Sequence, residues 1–192
     1  MPVQNQEPPS ETPHRQLEPS AWVCRWMRLL PAGSVVLDLA CGYGRHVRLA
    51  LAQGHEVVAL DRDGEALARL STLPGVRTVQ ADIEQSGWPF PDQRFDAVIV
   101  TNYLYRPLFP LLIRAVAHNG LLIYETFARG NERFGRPRNP DFLLKEGELY
   151  EVVRPALRVL GYEDIYTSSP GPAMVQRLCA CGQGFAWPPI DC

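Results

Sequence analysis

Five short apolar runs constrain this chain more than anything else in it, because four of them are followed by a segment of different period. The runs are "SVVLDLA" from Ser34, "EVVAL" from Glu56, "VRTVQA" from Val76, "RFDAVIVTN" from Arg94 and "LLIYETF" from Leu121. Helical spacing of apolar residues marks the segments after them: "GRHVRLALAQ", "DGEALARLST", "PLFPLLIRAVA" and "EGELYEVVRPALRVLG". Continuous apolar strands alternating with helices call for a parallel sheet covered on both faces. An earlier helix, "AWVCRWMRLL", has Ser20 as its N-cap and stops at Pro31. Gly54 closes the second helix, Asp63 caps the third, and Asn119-Gly120 closes the one before the fifth strand. The end departs from this rhythm. "YEDIYTSS", "PGP" and "AMVQRLCA" read as strand, turn, strand. The expected fold class is therefore α/β, a doubly wound, mostly parallel seven-stranded sheet with an antiparallel C-terminal hairpin.

One domain is expected over residues 20–181, preceded by a flexible, proline-rich leader at 1–19 and followed by a tail at 182–192. At 192 residues and 46% apolar, the chain can bury a sizeable core. A net charge of −2 provides no general basic field for nucleic acid or an anionic membrane. No apolar run approaches a membrane span, and the first residues lack a signal-peptide core. The five cysteines form an odd count without disulfide or zinc spacing, so a reducing, cytoplasmic location and no metal are expected. Cys41 reads as a small buried residue. The thiols of Cys179 and Cys181 are expected on opposite faces of their strand.

The first strand ends in "DLACGYGRH", and two glycines there weaken local structure unless something needs bare backbone. In an open α/β sheet that point is the ligand rim. Glycine lets a ligand approach, and the next helix offers free N–H groups. The second strand ends in Asp61, nineteen residues after Gly42, where an acid can take both hydroxyls of a ribose. The third ends in Ala81-Asp82-Ile83, which can hold adenine by carboxylate, backbone and an apolar side chain. Two nucleoside ligands compete. A dinucleotide fingerprint wants a small residue where this chain has Val47, and a pyrophosphate would face Asp38, Asp61 and Asp82. S-adenosylmethionine carries no phosphate, is cationic at sulfur and nitrogen, and tolerates that acidic rim.

In order, "VLDLACGYGRH", "VVALDRD", "QADIE" and "FDAVIVTNYLYRPL" resemble the successive motifs of class I S-adenosylmethionine-dependent methyltransferases, over roughly residues 34–181. The segment "YETFARGNERFGRPRNPDFLLKEGEL" is similar to small bacterial members related to the tellurite-resistance type. The resemblance implies that Asp38 and the Gly42–Gly44 turn hold the methionine end, Asp61 the ribose, and Asp82 with Ile83 the adenine. Asn102 and Tyr103 would meet the methyl group, and Ala40 and Arg62 complete the cofactor set. A base is needed only if the accepting atom carries a proton; Tyr103, Tyr124 and Glu125 are the candidates. Arg45 and His46 read as solvated or locally paired, with His46 weighed as a base.

Residues 128–145 are longer than a strand-to-helix link requires, and read as a lid. Arg129, Arg133, Arg136 and Arg138 face a single nearby acid, Glu132. Guanidinium forks suit carboxylate or phosphate, so the lid is expected to recognise an anion on the acceptor. The leading expectation is methyl transfer to a small, anionic molecule. An RNA or protein methyltransferase and a non-catalytic S-adenosylmethionine-binding protein are the alternatives. Oligomeric state is not legible.

Overall fold

The computed structural model describes residues 18–187. Helix α1 spans Ala21–Met27, with the Ser20 hydroxyl accepting from the Trp22 and Val23 N–H groups. Strand β1 (Val35–Leu39), helix α2 (Arg45–Ala52), strand β2 (Glu56–Asp61), helix α3 (Gly64–Leu70) and strand β3 (Val76–Gln80) follow. The second half holds β4 (Phe95–Thr101), α4 (Phe109–Ala115), β5 (Val116–Phe127), α5 (Glu148–Val153), β6 (Arg158–Thr167) and β7 (Ala173–Cys181). Short 3₁₀ turns lie at Arg106–Leu108, Asn131–Arg133 and Pro140–Phe142.

The seven strands form one sheet in the order β3-β2-β1-β4-β5-β7-β6. The first five are parallel, while β7 runs antiparallel to both β5 and β6. Period-two alternation sends one set of side chains to each face. On one face Val36, Ala59 and Ile99 pack under Trp22, Trp26, Val47 and Leu70 of α1–α3. On the other Leu37, Leu39, Val98 and Tyr124 pack under Phe109, Leu112, Leu149 and Val153 of α4 and α5. Each face buries a continuous apolar layer, the main source of stability in such a fold.

Three expectations fail locally. The helix expected to close at Asn119-Gly120 stops at Ala115, and Val116 already begins β5. Asn119 and Gly120 lie in a bulge, where Phe95 pairs with Val116 but Ala97 pairs with Leu121. A Cβ on Gly120 would stand 2.8 Å from the Phe95 carbonyl oxygen, so the glycine serves a close backbone approach rather than a helix stop. The next helix, expected through Gly161, ends at Val153. Pro155 cannot continue it, and Arg158 onward pairs with β7 instead. Cys179 and Cys181 share one face, packed with α1, because residues two apart in a strand must. Among the described residues no cluster of three metal-binding side chains occurs. Nor is any helix there long and apolar enough to cross a membrane. Cys192 and most of the leader lie outside the described residues.

Candidate active site

The strand order reverses between β1 and β4, which is where an open α/β sheet leaves a crevice. Both strands end there in the same unusual way. Ala40 has φ of 54° and Asn102 has φ of 56°, left-handed values outside glycine's domain. Asn tolerates this region; Ala does so only at a cost, and such strain gathers at functional sites. The loop between β1 and α2 turns on Gly42 and Gly44, with φ of 52° and 78°. A Cβ on Gly44 would lie 2.5 Å from Leu70 Cδ2, whereas on Gly42 it would meet nothing within 4 Å. One glycine therefore lets α3 pack, and the other leaves the cleft open.

Asp61 ties the rim together. Its carboxylate accepts from the Gly42 N–H at 2.7 Å and from the Asp63 N–H at 2.9 Å. Asp82 accepts from the Glu84 N–H at 3.1 Å and also shapes the turn after β3. Two chambers meet at this rim. The larger, about 850 Å³, lies against the glycine loop and carries Arg45, Arg48, Arg69 and Glu18. The smaller, about 470 Å³, carries Asp61, Arg62, Asp82 and Glu84. Ala40, Asn102 and Tyr103 line both. The cleft is thus basic on one side and acidic on the other, joined at the two strained strand ends.

The expected cofactor set converges here, with one exception. Ala40, Gly42, Gly44, Asp61, Arg62, Asp82, Ile83 and Asn102 all line a chamber. Asp38 does not. It is 1% exposed, beneath the loop, and accepts from the Val47 N–H. Its Oδ2 has no hydrogen-bond partner. Burial pushes its carboxyl up to about 7, offset by Arg45 and reinforced by Asp61. It supports the loop from below.

Of the three candidate bases only Tyr103 reaches the cleft. Its hydroxyl donates to Glu84 Oε1 at 2.9 Å, and burial followed by that carboxylate keeps it protonated well above its usual range. Tyr124 is buried, lines neither chamber, and donates its hydroxyl to the Tyr103 carbonyl at 2.9 Å. Glu125 lies on the α1 side, accepting from the Ser20 hydroxyl at 2.8 Å and pairing with Arg177 at 3.4 Å. His46 is neither solvated nor a ready base. Its Nε2 accepts from the Ser20 N–H at 3.1 Å, and burial, then Arg45, pushes its pKa down to about 3. Arg45 bonds the Glu18 carbonyl and the Thr101 hydroxyl, both at 3.3 Å. Ser20, read as a helix cap, is therefore also the knot that fixes the chain beside the basic chamber.

The segment after β5 folds back on itself. Arg129 N–H donates to the Leu144 carbonyl and Leu144 N–H to the Phe127 carbonyl. Buried Asn131 reaches the Pro137 carbonyl at 3.3 Å and accepts from the Met174 N–H. Arg129, Arg133, Arg136 and Arg138 are all exposed. None of the four lines a chamber; Pro137 and Phe142 do, together with Phe127 and Thr126 from β5. Arg106 is a tie of this segment that the sequence did not reveal. It pairs with Glu148 at 2.6 Å and donates to the Asp141 and Leu143 carbonyls at 2.6 and 2.9 Å. No local spacing announces a pairing across 42 residues.

Comparison with known proteins agrees with this geometry. A family described as a methyltransferase domain matches residues 36–118. TehB from Haemophilus influenzae superposes with a TM-score of 0.67 at 20% identity, over 83% of this chain; the chain spans 61% of that protein's length. An S-adenosylmethionine-dependent methyltransferase from Mesorhizobium loti gives 0.63 at 18% identity, covering 80% of this chain and 94% of that one. The Burkholderia thailandensis 1,6-didemethyltoxoflavin-N1-methyltransferase, solved with 1,6-didemethyltoxoflavin and S-adenosylhomocysteine, gives 0.63 at 19% identity over 84% and 76%. No curated protein matches the chain significantly. A methyltransferase domain thus matches residues 36–118, and the fold around that match is the one found in solved S-adenosylmethionine-dependent methyltransferases.

Proposed function

We propose that the protein transfers a methyl group from S-adenosylmethionine to a small, anionic acceptor, by holding the two in line rather than by withdrawing a proton. The observation that carries this reading is the junction of Ala40 and Asn102. It lies where a basic and an acidic chamber meet. The residues present fit the cofactor. The open space at Gly42 leaves backbone uncovered for a ligand, and acids stand at the ends of both β2 and β3.

Asp61 has lone pairs beyond those used by Gly42 and Asp63, and these take the two ribose hydroxyls. Asp82 and Ile83 receive the adenine. Asn102 and Ala40 shape the junction. Arg45, in the basic chamber, suits the carboxylate of the amino-acid end. The cofactor supplies a methyl group on a cationic sulfonium, which a nucleophile takes by direct displacement. Such a step gains most from orientation and exclusion of water. The state of Tyr103, Tyr124 and Glu125 supports this, since each already holds or receives a hydrogen bond within the protein. The Tyr103 ring remains free to face the sulfonium.

The anionic character of the acceptor rests on the four exposed lid arginines, of which Arg136 and Arg138 flank Pro137 in the smaller chamber's wall. The test is incubation with methyl-labelled cofactor and a deproteinised metabolite extract. Label is expected in a small acidic molecule, with S-adenosylhomocysteine released only when extract is present. Label confined to RNA or protein, or release independent of any acceptor, would overturn the reading.

A further inference from the structure

The smaller chamber is longer than a nucleoside needs. Its lining comes from the ends of β3, β2, β1, β4 and β5, five adjacent strands. Neighbouring strands lie about 4.8 Å apart, so the chamber spans roughly 19 Å. Asp61 and Asp82 stand at the β2–β3 end. The β4–β5 end is built otherwise, from Tyr103, Leu104, Thr126, Phe127, Pro137 and Phe142, and its nearest carboxylate, Glu84, is bound to the Tyr103 hydroxyl.

Three features of that end ask for a ligand. Phe142 is 52% exposed although it forms a wall, which leaves apolar ring surface in water. Thr126 is 1% exposed and lines this end of the chamber, so a hydroxyl-bearing side chain stands in an otherwise apolar wall. Pro137 is flanked by Arg136 and Arg138, both exposed and without an ion pair among the described residues. A wall that is mostly apolar, with the Thr126 hydroxyl inside and two cations at its lip, matches one kind of molecule. We propose that the β4–β5 end of this chamber is the acceptor subsite and takes a small, flat molecule with an apolar body and one anionic substituent. The body lies against the Phe142 and Tyr103 rings. The Thr126 hydroxyl bonds a polar atom on the body, and Arg136 or Arg138 takes the anion. This rests on the reading of the protein as a transferase acting on a small acceptor, and narrows that acceptor's class.

Saturation-transfer NMR on protein saturated with S-adenosylhomocysteine tests it, with benzoate, acetate and benzyl alcohol as probes. Benzoate should receive saturation, and acetate and benzyl alcohol should receive much less. Phe142→Ala, which removes an exposed ring, should abolish the benzoate signal. Thr126→Val and the double variant Arg136→Ala/Arg138→Ala should each weaken benzoate about three- to tenfold. All variants should keep the wild-type thermal shift with S-adenosylhomocysteine, which shows that they fold. Acetate binding as tightly as benzoate, or benzoate binding unchanged in Phe142→Ala, overturns the subsite. So does S-adenosylhomocysteine binding with no benzoate contact. Failure of the wild type to bind S-adenosylhomocysteine at all would instead overturn the methyl-transfer reading beneath it.

Discussion

The two chambers of the cleft share three residues and differ in almost everything else. The acidic one is built from strand ends, with Asp61 and Asp82 held in place by backbone N–H groups. The basic one is built from helix surface and an incoming segment, with Arg45 stitching Glu18 to Thr101. Strand β2 is fixed by ladder bonds on both sides and the edge strand β3 on one, so the carboxylates at their ends are pre-organised for hydroxyl groups. Arginines on α2 and α3 have long stems and adapt to a charge rather than to a shape. The difference suggests that the acidic chamber selects the nucleoside and the basic one only anchors a carboxylate.

The largest expected effect breaks the acidic side. Asp61→Ala removes the acceptor proposed for the ribose hydroxyls and also releases the Gly42 and Asp63 N–H groups. Loss of a charged hydrogen-bond acceptor costs about 1.5–3 kcal/mol, or roughly ten- to a hundredfold in affinity. Calorimetry should show this loss equally for S-adenosylhomocysteine and for 5′-methylthioadenosine, which shares its nucleoside but has no carboxylate. Unchanged affinity in a folded variant would remove Asp61 from the ribose.

Asp38 sharpens the comparison because it lies between the two charges, lowered by Arg45 and raised by Asp61. Burial dominates and lifts its carboxyl from an ordinary value of 3.8 to about 7. The folded chain therefore keeps a proton that the unfolded chain has released over that interval. Stability contributed by this group is present below pH 4 and falls as pH rises towards 7, by up to ~1.4 kcal/mol per pH unit. Asp38→Asn mimics the protonated form. Thermal melts of the variant between pH 5 and pH 7.5 should lack the decline that the wild type shows.

On the basic side the effect is smaller and selective. Arg45→Ala should weaken S-adenosylhomocysteine by about 1–1.5 kcal/mol, roughly tenfold, because a partly exposed guanidinium gains less from its anion. Affinity for 5′-methylthioadenosine should hold. If both ligands weaken together, Arg45 acts by fixing the Glu18 strap and Thr101 rather than by touching the carboxylate.

The acidic chamber was legible in the sequence, and of the basic one only its glycine loop was. Gly42, Asp61 and Asp82 each sit at the end of an apolar run, so local pattern places them on one rim. The basic chamber depends on partners far apart along the chain, such as Ser20 with His46, 26 residues on. The same limit explains the misplaced helix ends. Val116 and the Arg158–Gly161 stretch have acceptable helical pattern, but ladder bonds to Phe95 and Cys181 decide their state. Tyr124 and Glu125 were reasonable candidates by position, yet alternation turns their side chains to opposite faces beneath the rim. The arginines of the lid were visible as charge; that Pro137 and Phe142, and not they, face the cleft depends on how the segment folds back.

The smallest effect concerns how that segment is held. Its base is pinned by Arg106, whose guanidinium spans Glu148 and two carbonyls of the lid. Its tip, residues 133–140, has few such ties, and Asn131 supplies the main inner one. Exchange of backbone amides should therefore be graded, slow at Arg129 and Leu144, which bond across the base, and fast at Arg136 and Arg138 in the tip. Arg106→Ala should cost about 1 kcal/mol locally, since the ion pair is partly in water, and raise exchange at Arg129 and Leu144 roughly fivefold. The sheet should be unaffected, because β5 and β7 keep their ladder. Affinity for S-adenosylhomocysteine should be nearly intact, as neither chamber's charged rim is touched. If cofactor affinity falls with the lid's protection, the lid and the acidic chamber are one cooperative unit, and the division between a rigid nucleoside rim and a movable acceptor wall is lost.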